Sequence, residues 1–271
     1  MTLTNSRVTF VGSGNMAEAL IRGLLHANVM PAGAIVASDI SPERRSHLAQ
    51  AHGIRATESN RQVAELAPIV VLAVKPQGMR AIVAELAGVA AGKLFISIAA
   101  GVKLSQLSGW LGGARPIVRV MPNTPALVLA GMSVLCPNAA CEKADVDAAR
   151  RIFAAVGDAL VLEREDLLDA VTGLSGCGPG YVFEILDALI EGGVTQGLPR
   201  DLAARLTVQT MLGAARLAAE TGRPPAELRD MVASPGGATR AGLEVLERGN
   251  LRATLMSAVE AATRRSREMS A

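Results

Sequence analysis

A glycine-rich turn closes the first apolar run of the chain, and it constrains the fold more than any other feature. The run Val8 to Val11 leads into Gly12-Ser13-Gly14-Asn15-Met16-Ala17, a G-x-G-x-x-A pattern, and a helix is expected to begin near Asn15. Each small residue has its own task in such a strand, turn and helix. Gly12 permits the tight turn, Gly14 lets the backbone approach a pyrophosphate, and Ala17 lets helix pack closely on strand. The free N–H groups of the first helical turn then face the anion. Alone the pattern is a weak signal; standing at the first strand-to-helix junction of an α/β sequence, it predicts a dinucleotide site.

The α/β rhythm continues behind it. Val8 to Val11, Ile35 to Ser38, Ile69 to Val74, Leu94 to Ile98 and Ile117 to Val120 read as strands. Several are apolar throughout, as parallel strands covered on both faces must be. Ser41-Pro42 reads as an N-cap with proline in the first helical turn, and Gly53 as the stop of the same helix. After about Glu165 only helical stretches remain, punctuated at Gly178-Pro179-Gly180, Gly197-Leu198-Pro199 and Ser234-Pro235-Gly236-Gly237. The fold class expected is therefore α/β, an N-terminal Rossmann-like doubly wound sheet over residues 1–164, followed by an all-helical C-terminal domain over 165–271.

Charge and composition narrow the function. A formal net charge of +2, without a basic block, leaves no electrostatic footprint for nucleic acid. No apolar run reaches membrane-spanning length, and residues 1–7 lack the charged and apolar regions of a leader, so a cytoplasmic protein is expected. Cys136, Cys141 and Cys177 form no C-x-x-C pair, and the histidines are His26, His47 and His52. This spacing predicts no metal site, only buried thiols and solvated helix histidines.

At the end of the second strand, Asp39 should lie beside the adenosine ribose, where a carboxylate favours a free 2′-hydroxyl. Ser38, Ser41, Arg44 and Arg45 could instead favour a 2′-phosphate, unless the arginines merely form a solvated helix face. The residues leave that choice open. Other strand ends carry Ala73-Val74-Lys75-Pro76, Ser97-Ile98-Ala99-Ala100-Gly101 and Met121-Pro122-Asn123-Thr124-Pro125, loops that converge on one sheet edge.

The reaction class is narrowed by what is missing. Reduction of a carbonyl forms an alkoxide and calls for a proton donor such as His or Lys. No histidine follows His52 and no lysine follows Lys143, so the helical domain supplies neither. An imine nitrogen can be protonated beforehand, and a hydroxyl that orients it suffices. The loop Ser234 to Thr239 offers hydroxyls and backbone amides before a helix, a setting for a carboxylate. Gly173-Leu174-Ser175-Gly176-Cys177 departs from the G-x-S-x-G nucleophile pattern at its last position.

With these residues in view, the chain closely resembles the pyrroline-5-carboxylate reductases. FVGSGNMA from Phe10, AVKPQ from Ala73, SIAAG from Ser97, MPNTPA from Met121, VTGLSGCGPGY from Val171 and SPGGATRAGLEVLE from Ser234 occur in that family's order. The resemblance implies hydride transfer from NAD(P)H to the C=N bond of 1-pyrroline-5-carboxylate, giving L-proline, the last step of proline biosynthesis. It implies cofactor contacts at Gly12, Ser13, Gly14, Asn15, Met16, Ser38, Asn60, Ala73, Val74, Lys75, Pro76, Ala99, Ala100, Gly101 and Asn123. NADPH is the expected donor, with NADH as the alternative. Substrate would be held by Glu165, Ser234, Gly236, Gly237, Ala238 and Thr239, with Thr239 on the ring nitrogen as the catalytic residue. The C-terminal helices would interlock in a homodimer, each active site drawing on both chains, and five dimers could close a decamer. Family members often have Ser at Cys177 and Ala at Gly180. The rivals are a β-hydroxyacid dehydrogenase, which lacks support without a lysine in the helical domain, and a dinucleotide-binding sensor without turnover.

Overall fold

The computed structural model describes residues 6–269. The reading of the first five residues as a lead-in without a leader, and the last two residues of the expected helical domain, lie outside it. Among the described residues the sheet has eight strands in the order β3-β2-β1-β4-β5-β6-β7-β8. Strand β1 (Val8–Val11) is followed by helix α1 (Asn15–His26), then β2 (Ile35–Ser38), α2 (Pro42–His52), β3 (Arg55–Thr57) and α3 (Asn60–Glu65). The second half runs β4 (Ile69–Leu72), α4 (Pro76–Leu86), β5 (Leu94–Ser97), α5 (Leu104–Trp110) and β6 (Ile117–Met121). Then come β7 (Gly131–Pro137), α6 (Lys143–Ala154) and β8 (Gly157–Val161). β6 pairs with β7 antiparallel and all other pairs are parallel.

The sheet is doubly wound because its strands bury both faces. Successive side chains of a strand point to opposite faces, and here the two faces join different cores. Val8 and Phe10 of β1, Ile69 and Val71 of β4 and Ile96 of β5 pack with Leu20, Ile21 and Leu24 of α1 and Ile152 and Phe153 of α6. Val11, Val70, Leu72 and Phe95 pack instead with Val63 of α3, Met79, Val83 and Leu86 of α4 and Leu107 of α5. α2 has the ends read from sequence: the Ser41 side chain accepts a hydrogen bond from the Arg44 N–H at 3.1 Å, and Gly53 closes the helix in the left-handed conformation.

Beyond β8 the chain is helical: α7 (Leu168–Val171), a five-residue π-helical turn (Thr172–Gly176), α8 (Gly178–Thr195) and α9 (Arg200–Thr221). α10 (Pro225–Val232), α11 (Ala238–Arg248) and α12 (Leu251–Met269) follow. By backbone packing one compact unit runs to Cys177 and includes the end of α12 from Ala261, and the other is Gly178–Glu260.

Candidate active site

The strand order reverses between β1 and β4, whose following segments diverge to opposite faces of the sheet; a crevice must open there at the carboxyl ends of the strands. A cavity of about 370 Å³ occupies this position, lined by residues at or beyond the carboxyl ends of β1, β2, β3 and β4. Gly12, Ser13, Gly14, Ser38, Asn60, Ala73, Val74 and Lys75, all expected at the cofactor, line it together. Asn15, Met16, Pro76, Ala99, Ala100, Gly101 and Asn123 are not among its lining residues. Ile40, Gly78 and Ile82 line it without a motif to announce them.

The geometry fits a dinucleotide phosphate. Gly12 has φ +87°, and a Cβ there would stand 2.6 Å from Val74 Cγ1 and 2.9 Å from the Ala73 carbonyl oxygen. At Gly14, by contrast, a Cβ would meet nothing within 4 Å, so the space beside it is open. Gly14 is also the N-cap of α1, and no side chain caps that end. The amides of the first turn therefore carry no competing acceptor and suit an anion.

At the adenosine end, Ser38 Oγ donates to Asn60 Oδ1 at 2.8 Å. The Asp39 carboxylate accepts from the Ser13 N–H at 2.9 Å, the Ser13 hydroxyl at 2.7 Å and the Ser41 N–H at 2.9 Å. Burial alone would raise its pKa, but these hydrogen bonds outweigh burial and hold it below the ordinary carboxylate value. Arg44 donates to the Ser13 carbonyl and pairs with Glu18 at 2.8 Å, while Arg45 donates to the carbonyls of Asp39 and Ile40. The arginines are thus not merely a solvated face; they brace the two loops that line the cavity. His47 and His52 both contact Glu18; His47 is nonetheless exposed on its helix, as expected, whereas His52 is nearly buried.

Farther along the sheet edge, Asn123 Oδ1 accepts from the Met132 N–H at 2.8 Å, and its amide nitrogen donates to the Ser175 carbonyl at 3.2 Å. It ties the loop after β6 to the π-helical turn. Gly101 has φ +77°, and a Cβ there would lie 3.2 Å from the Met269 carbonyl oxygen, so the end of α12 closes over this loop. Glu165 Oε1 accepts from the Leu104 N–H at 2.7 Å and from Arg119 at 2.9 Å. Arg119 is 5% exposed, and Glu165 is its counter-charge. That pair was signalled only by one arginine inside the apolar run Ile117 to Met121.

In the second unit, α11 begins at Ala238 with Gly237 as an N-cap that no side chain satisfies. A Cβ at Gly237 would lie 2.5 Å from Ser234 Oγ, so this hydroxyl is held against the helix start by the absence of a side chain. Ser234, Gly236, Ala238 and Thr239 are exposed, and Gly237 is half-buried. The loop presents two hydroxyls and an uncapped helix end on one short segment.

Two family descriptions match the chain. Pyrroline-5-carboxylate reductase dimerisation covers residues 165–269, and NADP oxidoreductase coenzyme F420-dependent covers residues 7–101. The chain is 43% identical to the pyrroline-5-carboxylate reductase of Pseudomonas aeruginosa, over 98% of each chain. It is 43% identical to that of Arabidopsis thaliana, over 97% of this chain and 95% of the relative. Among solved structures, a pyrroline-5-carboxylate reductase from Coxiella burnetii matches with TM-score 0.94 and 40% identity, over 99% of this chain and 100% of the other. A Plasmodium falciparum pyrroline carboxylate reductase with NADP bound matches with TM-score 0.90 and 33% identity, over 98% and 99%.

Proposed function

The chain belongs to the pyrroline-5-carboxylate reductase family, and from that premise we infer that it reduces the C=N bond of 1-pyrroline-5-carboxylate, giving L-proline. NADPH is the assigned donor, in keeping with the NADP-bound relative, and NADH is the alternative. The observation that carries the reading in this chain's own residues is the cavity at the β1/β4 reversal, with an uncapped helix start at its wall.

The bound dinucleotide supplies the hydride. The chain's own residues bind and orient. The amides opening α1 hold the pyrophosphate, Ser38 and Asn60 take the adenosine end, and Lys75, Pro76, Ala99 to Gly101 and Asn123 shape the path toward the nicotinamide. Ser234, Gly236, Gly237 and Ala238 hold the substrate carboxylate through the start of α11, and the Thr239 hydroxyl orients the ring nitrogen. The imine enters protonated, C5 gains the hydride and the π electrons of C=N become the amine lone pair, so no alkoxide forms and no strong acid is needed. Glu165, expected at the substrate, is proposed to act there by positioning, since its carboxylate fixes Arg119 and the start of α5.

The helical part is the family's dimerisation region. We assign a homodimer, assembling further to a decamer, in the cytoplasm; no described helix is long and apolar enough to cross a membrane. We keep the functional boundary at residue 165, a choice supported by the dimerisation match that begins there. Steady-state oxidation of NADPH and NADH with pyrroline-5-carboxylate tests the reading. Turnover that depends on the imine supports it, and dinucleotide binding without turnover would replace it with a sensor.

A further inference from the structure

Glu18 on α1 and His47 and His52 on α2 bring their ligating atoms within 4.8 Å of one another. One oxygen, Glu18 Oε1, stands 2.7 Å from His47 Nε2 and 3.2 Å from His52 Nε2. None of the three lines the dinucleotide cavity. We propose that Glu18, His47 and His52 form a binding site for a divalent transition-metal ion, of which Zn²⁺ is the best match.

The donor set is two imidazole nitrogens and a carboxylate oxygen, the borderline-soft combination that zinc takes with three protein ligands and an open fourth position. Metal–ligand bonds of about 2.0–2.1 Å in a tetrahedron put donors about 3.3 Å apart, so the two short separations here need only small side-chain movements. The rings meet edge to face, with centroids 6.2 Å apart, which leaves both Nε2 atoms turned to the shared oxygen without the rings stacking. Both imidazole nitrogens face Glu18 Oε1, so an ion bound there would take the place of the protons they share with it, and binding would release protons.

Arg44 engages the other oxygen, Oε2, at 2.8 Å. It fixes the carboxylate as a one-oxygen ligand, as outer-shell partners do, while its charge keeps the site weaker than a closed structural one. His47 is half exposed, giving the ion an entry path, whereas His52 is nearly buried. Sequence spacing alone concealed the site, because the carboxylate comes from a helix 29 residues before His47.

Titration of the full-length, metal-free protein with Zn²⁺, read by calorimetry and by thermal unfolding, tests this. The expected result is one equivalent bound and a raised Tm, with affinity lowered at least about 100-fold in His47→Gln, because losing even an outer-shell partner costs 10–100-fold. His26→Gln, away from the cluster, should bind as the parent does. The half-exposed His47 makes H47Q a mild substitution, and its metal-free Tm and reductase activity should be unchanged. Absence of binding by the parent, or equal binding by His47→Gln, would overturn the site.

Discussion

Thr239 and Gly12 separate the two halves of the proposed chemistry. Thr239→Ala removes one hydrogen bond to the reacting nitrogen and no phosphate contact. A hydrogen bond to a charged group is worth about 1.5–3 kcal/mol, so kcat should fall about 10- to 100-fold while dinucleotide affinity stays within twofold; unchanged kinetics would remove Thr239 from the reaction. Gly12→Ala should do the reverse. A methyl group there must displace Val74 or the Ala73 carbonyl and sit at φ +87°, a strain of about 1–3 kcal/mol, and the expected outcome is weaker dinucleotide binding, measured by fluorescence titration. Glu18 gives a pH signature. Its carboxyl is held at about 2, below its usual 4.5. Because the folded-state value is the lower one, its stabilisation is complete above about 4.5 and is lost as the pH falls toward 2. Glu18→Gln should flatten acid unfolding across that window. Burial pushes the Cys136 and Cys141 thiols up to about 11, although of the three cysteines expected to be buried only Cys136 is fully so.

Among the elements, what was legible follows from how each strand is surrounded. β1, β2, β4 and β5 are buried on both faces and stand out as apolar runs. β3, β7 and β8 went unread for separate reasons. β3 is three residues at the sheet edge and mostly half-buried, too short for a pattern. β7 holds the polar Ser133 in its buried stretch and pairs antiparallel to β6, a reversal that an α/β rhythm does not announce. β8 exposes Leu160 and Val161 and begins at a glycine with φ +148°, so neither burial nor alternation marks it. The same limit applied at the site: motifs carried the phosphate loop, whereas Ile40, Gly78 and Ile82 have only position to recommend them. The Arg119–Glu165 pair links β6 to the chain beyond β8, and Glu165→Ala would leave a nearly buried guanidinium without its counter-charge. A cost of about 3 kcal/mol is expected, measured by denaturant unfolding. Glu165→Gln, which keeps an acceptor for Arg119 and Leu104, should cost less. Equal losses in the two variants would show that the hydrogen bonds to Glu165 carry no stability.

At the scale of the whole molecule, the helical part explains why a chain so poor in aromatic residues keeps many apolar side chains outside. Phe183, Leu189, Leu206, Val208, Leu212 and Met256 are each about half exposed or more in the single chain, and α8, α10 and α11 contain no buried residue. A monomer would leave this surface in water at a cost of roughly 25 cal/mol per Å²; a dimerisation region is built to cover it. Leu212→Asp should therefore shift the chain toward monomer in sedimentation, and the Tm of the parent should rise with protein concentration. This part of the account was legible only through the resemblance, because an Ala- and Leu-rich helix reads the same whether its partner belongs to its own chain or to another. The central claim is that a dinucleotide held at the β1/β4 crevice reduces a cyclic imine. Its most direct test is the loss of NADPH absorbance in the presence and absence of pyrroline-5-carboxylate, with proline quantified in the same sample. The account predicts oxidation only when the imine is present, with one proline formed for each NADPH consumed; oxidation that ignores the imine, or that yields no proline, would contradict it.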